Sequence, residues 1–412
     1  MKKNVLFVLF GAAILLTMNA CKTDELDLDK ELKFTKLSTE EQKAQIEQSG
    51  LDFVTAMEDM QKTKAMTSIM NMLEMQNSET YLVAYIAPLQ KLSADVKNNR
   101  KNTISNFDKQ MRVSYIDSEV WGEYVYNFDT KEMDKVKELS NKLIINFPAT
   151  ESSKTNNANI TVTYEESTVE IPDTDGELYP STMNFVMTVD GSEVMKANFS
   201  GKYYDDGSPE DVTQSLEMED FKWTAEIKND KKTASESYEF KKGSKIILKS
   251  KAEINGDFTE VAVTDVMGDV SPQDAISGFA IYFQVMDVAV KGGTKDFKKM
   301  MDEGNALDPD ALTEKEYAEK SVEILNKYLV CFGYFVDDNR KFADVEFYVN
   351  ETQYEDYDYS TYPYVTKTIT KYEIAPRFVL SDGSKVAADE YVQEGFDSFI
   401  NKLEDMENDF DF

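Results

Sequence analysis

Cys21 is the residue whose place in the chain most directly indicates a chemistry. Lys2 and Lys3 precede an apolar run over residues 5–16, and the small residue Ala20 stands directly before the cysteine. This order is typical of a cleavable secretory signal, with a positive region, an apolar region and a small-residue cleavage site. Since the apolar run is shorter than the roughly 20 residues of a membrane-spanning helix, we expect cleavage rather than retention.

Residues Met18 to Cys21 resemble a bacterial lipobox. The resemblance implies that residues 1–20 are removed and that Cys21 becomes the acylated first residue of the mature protein. Acyl chains on Cys21 would anchor the protein stably, because each buried methylene contributes about 0.8 kcal/mol. The alternative is an ordinary secretory signal in which the cysteine stands by chance.

The residues after Cys21 carry a second resemblance. Lys22 to Glu25 are followed by Asp27 and Asp29, which is similar to the acidic export tag of surface lipoproteins in the Bacteroidota. The later aromatic and hairpin segments are also similar in style to uncharacterised lipoproteins of that phylum. This implies an outer-membrane location, with surface display favoured over the periplasmic face, but it implies no activity.

A tyrosine cluster is the second group that suggests chemistry. Its members alternate with Glu355, Asp356 and Asp358, and they are Tyr354, Tyr357, Tyr359, Tyr362 and Tyr364. Tyrosine rings beside carboxylates can stack on sugars and bond hydroxyl groups, so the cluster predicts a surface for glycan, peptide or protein. The simpler interpretation is an edge strand and loop that end at Pro363.

Composition excludes several classes of function. The chain has no histidine, which removes Ser-His-Asp and Cys-His catalysis and the usual zinc and copper sites. A formal net charge of −32 opposes nucleic-acid binding, which needs clustered lysine and arginine. With Cys21 acylated, Cys331 would be left without a disulfide partner. We therefore expect no enzyme, no cofactor and no metal.

Alternating apolar and polar residues dominate between residues 183 and 254. The turn Asp190-Gly191 joins two such runs, and Asp-Gly in this setting is the strongest short hairpin signal. Six successive runs predict an antiparallel meander with one apolar face. We expect helices to cover that face, which makes the predicted fold class α+β.

Helix signals flank the predicted meander. Ser38 and Glu41 match a capping box, and the helical pattern that follows slips near residues 61–64. Thr313 to Leu329 predicts another helix, whereas the stretch from Ser271 to Val290 fits helix or strand. The predicted parts are a signal peptide at 1–20, an acidic tether at 21–37, a helical region at 38–112, an antiparallel β-rich region at 113–270 and a C-terminal α+β region at 271–412.

These observations favour a lipid-anchored envelope protein that acts as a non-catalytic binding module. Its membrane contact would be the lipid on Cys21, and its ligand would be a glycan, peptide or protein. The alternative is a periplasmic-side carrier that holds an apolar ligand in a curved sheet. A carboxylate-dependent hydrolase ranks third, because 77 acidic residues offer no way to select a catalytic pair.

Overall fold

The computed structural model describes residues 25–75, 121–171, 176, 178–259, 275–358, 365–391 and 395–402. Sixteen strands of these residues form one sheet. The strands are β1 (Gly122–Asn127), β2 (Glu132–Glu138), β3 (Lys142–Phe147), β4 (Ala158–Glu170), β5 (Leu178–Val189), β6 (Ser192–Tyr203), β7 (Pro209–Met218), β8 (Phe221–Asn229), β9 (Thr233–Lys242), β10 (Lys245–Gly256), β11 (Ile276–Val285), β12 (Val288–Thr294), β13 (Val330–Phe335), β14 (Arg340–Asp358), β15 (Val365–Val379) and β16 (Lys385–Ala387).

The sheet is a meander in which nearly every strand pairs with its neighbours in sequence. From β3 to β16 all pairings are antiparallel, and the hairpin of β1 and β2 is added at one edge through a parallel pairing of β1 with β3. The predicted α+β class, a meander covered by helices beside a C-terminal α+β region, is therefore wrong. The protein is mostly β, with one mixed sheet that continues across residue 270 from β10 to β11.

Five helices with these bounds occur in the described ranges: α1 (Thr39–Gln61), α2 (Lys64–Glu74), α3 (Phe297–Asn305), α4 (Glu314–Tyr328) and α5 (Ala388–Tyr391). The predicted capping box at Ser38 and Glu41 is confirmed, and so is the break between α1 and α2. Thr313 caps α4 in the same way. The ambiguous stretch before Val290 resolves into β11 and β12, as far as the structure describes it from residue 275.

One face of the sheet, here called the helix face, packs against α1 and α2. Met187, Met195 and Met218 lie opposite one another on neighbouring strands of this face. They join one core cluster with Met60 of α1 and Met72 of α2. Methionine fills irregular space between helix and sheet, which explains why this residue type is frequent here.

The opposite face, here called the strap face, is polar over β6–β9 but apolar over β11–β13. Its polar rows include Lys196, Glu217 and Lys222, which are directly paired across β6, β7 and β8. Its apolar part is a separate cluster that contains Leu26 and lies over strand residues Ala280, Tyr282, Ala289, Phe332 and Tyr334. The sheet is thus covered on both faces in its middle.

Candidate functional site

The most distinctive exposed feature is the far half of the hairpin of β14 and β15. Strand β13 pairs with β14 only as far as Asp344, and β16 pairs with β15 only over residues 377–379. The residues beyond continue as a two-stranded ribbon in which 352–358 pair with 365–371. We call these two segments the ribbon. Seven residues of strand extend about 23 Å, and no other described strand pairs with either of its edges.

Both faces of the ribbon are open to solvent. Gln353, Tyr354 and Glu355 are consecutive and all exposed, with Tyr354 at 48%. Because successive strand residues point to opposite faces, consecutive exposure means that neither face is covered there. Thr366, Lys367 and Thr368 on the opposite strand are exposed as well.

Cross-strand pairs stabilise the ribbon from within. Tyr354 stands opposite Ile369, an aromatic residue against a β-branched one, and Asp356 stands opposite Lys367. Pairs of these types contribute roughly 0.2–1 kcal/mol each. An isolated two-stranded ribbon is marginal in water, so Tyr354 has a structural role in addition to any role in binding.

Helix α4 supports the base of the ribbon. The Asn326 side chain accepts a hydrogen bond from the Phe347 N–H at 2.7 Å and donates one to the Phe347 carbonyl at 2.8 Å. It therefore satisfies the edge of β14 just beyond the point where β13 ends. Lys315 of the same helix pairs with Glu351 at 3.4 Å and lies 5.6 Å from the centre of the Tyr372 ring.

On the strap face of the same base, Glu346 is held by two cations. Its carboxylate lies 2.5 Å from Arg377 and 2.6 Å from Lys385. Burial acts to raise the pKa of Glu346, but the hydrogen bonds and attraction of Lys385 and Arg377 outweigh it, so the pKa lies below its usual value. Arg377 also stacks on Tyr348, with 5.0 Å to the ring centre. These contacts hold the base of the ribbon in place, whereas the ribbon beyond it is exposed to solvent.

The predicted site residues are only partly described. Tyr354 lies on β14 with its ring exposed, and Tyr357 pairs through its backbone with Thr366 of β15. Tyr359, Tyr362 and Tyr364 lie outside the described residues, as does Cys21. The structure therefore places the first part of the tyrosine cluster in a paired strand and does not test the acylation of Cys21.

Sequence reasoning missed a second feature, formed by residues 25–35 and here called the strap. Leu26 is buried at 6% exposure, and Leu28 and Leu32 pack against the same cluster on the strap face. Further along, the Thr35 N–H donates to the Lys341 carbonyl at 2.7 Å, and the Lys341 N–H donates to the Lys33 carbonyl at 2.9 Å. The predicted acidic tether is, from residue 25 onward, a packed segment that crosses β10 to β14.

Glu25 fixes the beginning of the strap. Its carboxylate lies 2.7 Å from Lys249 and 2.5 Å from Lys251, both on β10. Burial acts to raise the pKa of Glu25, but hydrogen bonds and attraction from the two lysines prevail and lower it. A second ion pair joins Asp29 to Lys295. The alternation Glu25-Leu26-Asp27-Leu28-Asp29 was the available signal, since period two is typical of a chain that lies on a sheet.

Two other sequence features have structural explanations. The turn residue Asp206 binds Lys231 at 2.7 Å and accepts from the Ser208 N–H at 2.8 Å. Burial acts to raise the pKa of Asp206, but the hydrogen bonds from Lys231 and Ser208 and the charge of Lys231 outweigh it and lower the pKa to about 2. Cys331 is partly buried on the helix face, where burial raises the pKa of its thiol to about 12. Such a thiol is a poor nucleophile.

The described residues include neither a cluster of metal ligands nor a membrane-spanning helix. Within these ranges, no three or more cysteine, aspartate or glutamate side chains come together as a metal site would require. Of the helices described, none is both long enough and apolar enough to cross a bilayer. No protein-family model matches the chain, and no curated protein or solved structure is significantly similar to it.

Proposed function

We propose that this chain is a lipid-anchored envelope protein whose ribbon recognises a glycan, a peptide or a partner protein. Cys21 carries the lipid, and the surface of the outer membrane is the favoured location. The protein acts by binding and not by catalysis. The ribbon supplies the recognition element, while the sheet and its covering segments supply a rigid support.

The openness of the ribbon is the observation that carries the proposal. Most strands of this sheet bury or half-bury at least one face, whereas residues 353–355 of the ribbon and residues 134–138 of the edge strand β2 expose both. The ribbon also offers edges that no other described strand pairs, together with aromatic, hydroxyl and charged side chains, which suit recognition by strand addition or by ring stacking. Its base is fixed by Asn326 and Glu346, so the ribbon extends from a defined position on the sheet.

A carrier of apolar ligands needs a continuous apolar cavity along the sheet. Where α1 and α2 lie, the helix face is filled by helix side chains, with Ile69 at 2% and Met72 at 0% exposure. This close packing favours a binding module over a carrier. A hydrolase needs two carboxylates set apart across a cleft, and no described feature supports such a pair over the ribbon.

Acylation is tested first, by the intact mass of the membrane-extracted protein. The proposal requires a chain that begins at Cys21 and carries thioether-linked and amide-linked acyl groups. Cys21→Ser should move the protein from the membrane to the soluble fraction. A mature chain without acyl groups, or an unprocessed leader, would contradict the anchor.

Recognition is tested by glycan and peptide arrays with the detergent-solubilised mature protein. We expect a specific ligand whose binding weakens at least about tenfold in Tyr354→Ala with Tyr357→Ala, since aromatic anchors contribute on the order of 1–2 kcal/mol or more. Tyr317→Ala is the matched control, because Tyr317 is an exposed tyrosine on α4. Equal binding by all three proteins, or no ligand in any array, would refute the ribbon as recognition element.

The side of the membrane is tested by protease accessibility in whole cells. Asp24→Ala with Glu25→Ala would disturb the strap as well as the acidic tag, because Glu25 pairs with Lys249 and Lys251. Asp24→Asn with Asp27→Asn leaves those contacts intact, since Asp27 is exposed. Surface display predicts digestion of the native protein and protection of this variant. Equal protection of both would place the protein inside.

A further inference from the structure

We infer that the strap face of β6–β9 is the surface that lies against the membrane, in contact with lipid headgroups. This inference rests on the proposed function, because it takes Cys21 as the lipid-bearing residue. Its structural basis is the attachment of the strap, which holds Glu25 on β10 between Lys249 and Lys251 at 2.7 and 2.5 Å. The anchor and the sheet are therefore close together along the chain.

The reach from Cys21 to Glu25 is short. Four peptide units join the two residues, and a fully extended chain of this length spans at most about 14 Å. Glu25 must consequently stay within about that distance of the membrane interface where the acyl chains enter. This limit separates the possible orientations of the sheet.

Orientations that stand the sheet on an edge exceed this limit. Strand β10 lies six positions from the edge strand β16 and nine positions from β2. At about 4.8 Å per strand, an edge-on sheet would lift Glu25 about 29 or 43 Å from the membrane. Both heights exceed the reach of the four peptide units.

Orientations that stand the sheet on its strand ends are disfavoured by charge. One end carries the ribbon, which would have to bury Glu355, Asp356 and Lys367 in the bilayer at a high desolvation cost. The other end carries α1 and an acidic set of turn residues: Asp190, Glu219, Asp220, Asp287, Asp337 and Asp338. Its lysines Lys242 and Lys245 are already paired with Asp59 and Asp52 at 2.8 and 2.7 Å.

The strap face of β6–β9 carries nearly balanced charge, although the protein as a whole is acidic. The precursor carries a net charge of −32, yet β6–β9 display on this face the lysines Lys196, Lys202, Lys222, Lys228 and Lys241 beside the carboxylates Asp211, Glu217, Glu226 and Glu239. Anionic lipid repels acidic surfaces and attracts lysine near the headgroups. This face can therefore meet anionic headgroups with little repulsion.

Energy transfer to a labelled lipid measures the orientation. The lipidated protein, with Cys331→Ala as background, is reconstituted in vesicles of phosphatidylethanolamine and phosphatidylglycerol that contain a headgroup-labelled acceptor. A donor is attached at Thr224→Cys, on the strap face of β8, or at Thr67→Cys, on the exposed side of α2 across the sheet. Because a sheet and a helix layer separate these positions, we expect transfer about twofold or more higher from residue 224.

Charge reversal tests the headgroup contact. Lys222→Glu with Lys241→Glu should reduce transfer from residue 224, whereas Lys298→Glu with Lys320→Glu, on exposed residues of α3 and α4, should not. Equal or reversed transfer from residues 224 and 67, in protein whose mass shows acylated Cys21, would overturn this inference alone. Protein without acyl groups would overturn both this inference and the proposed anchor.

Discussion

Strand β10 and the ribbon are parts of one sheet with opposite surroundings. In β10, the consecutive residues Ala252, Glu253 and Ile254 are all buried, so both faces are covered. In the ribbon, the consecutive residues 353–355 are all exposed. The two regions differ in coverage and in strand pairing, because β10 pairs with a strand on each side whereas each ribbon segment, among the described strands, pairs only with the other.

One continuous stretch of chain covers both faces of the sheet in its middle. Residues 25–35 cross the strap face, and α1 follows directly and packs on the helix face through Ala56 and Met60. The N-terminal part of the body thus encloses the sheet from both sides. The ribbon lies beyond both segments, and only its base is supported, by α4 and by the cations around Glu346.

Thiol reactivity should separate the two regions most strongly. Cys331, on β13, has a pKa raised by burial to about 12, so its thiolate fraction at pH 8 is about three orders of magnitude below that of an ordinary cysteine. Gln353→Cys places a thiol on the exposed ribbon. Ellman's reagent should modify residue 353 rapidly and Cys331 only after unfolding. Comparable modification rates of residue 353 and Cys331 in the native protein would contradict this difference between the two regions.

Core truncation should be costly only in the covered region. Phe342 is 1% exposed and packs against the Phe335 ring at 5.3 Å between centres. Phe342→Ala should lower the free energy of unfolding by about 3–5 kcal/mol. Tyr354→Ala is the control and should cost at most about 1 kcal/mol, the range of a single cross-strand pair. Urea unfolding curves measure both, and similar midpoints would contradict the assignment of these regions.

A side chain added at Gly333 should also destabilise the covered region, but less than Phe342→Ala does. A Cβ on Gly333 would collide with the Phe342 ring, whereas a Cβ on Gly304 of α3 would meet open space. Gly333→Ala should therefore destabilise by about 1–3 kcal/mol through overpacking. Gly304→Ala should be neutral or should stabilise by up to about 1 kcal/mol, the difference in helix propensity. Thermal unfolding of both variants tests this contrast. A Gly333→Ala protein as stable as the native protein would contradict it.

The strap should loosen in acid. The pKa of Glu25 is lower in the folded protein than its usual value, so the stabilisation is present above the usual pKa and is lost as the pH falls through the folded pKa. Exchange protection of the Thr35 amide, corrected for intrinsic rates, should fall in that window. Glu25→Gln should already lower protection at pH 7, by about fivefold for on the order of 1 kcal/mol. Glu31→Gln, at an exposed residue, should change nothing, and equal effects of the two variants would argue against the pair.

Local elements were predictable where one face is buried. The sequence Lys142–Phe147 predicts a strand, and in the structure it is β3, which alternates between partly and fully buried residues. The helix predicted from Thr313 is α4. The sequence predicts these elements because burial of one side places apolar residues at a regular spacing.

The predictions that failed concern stretches where this one-sided pattern is absent. The apolar alternation from Ala343 predicts a strand that ends at Val349, but β14 continues to Asp358. Residues exposed on both faces show no apolar period, so the sequence does not indicate this extension. The sequence predicts separate strands at residues 364–372 and 377–380, on either side of Pro376, but in the structure they form one strand, β15. Proline is tolerated there because β16 pairs only from Arg377 onward, which leaves Pro376 on an edge. The strap was interpreted as a tether because acidic residues separate its leucines, and the extent of the single sheet depends on pairings that no local pattern encodes.

Hydrogen exchange followed by mass spectrometry on the full mature protein tests the central claim most directly. Amide exchange in the strap and the covered strands β10–β13 is compared with amide exchange in the ribbon segments 352–358 and 365–371. Local opening free energies follow burial and contact density, so we predict slow exchange in the strap and in β10–β13 and markedly faster exchange in the ribbon. Equal protection in the ribbon and in β10, or a strap that exchanges as an unstructured chain, would contradict this account.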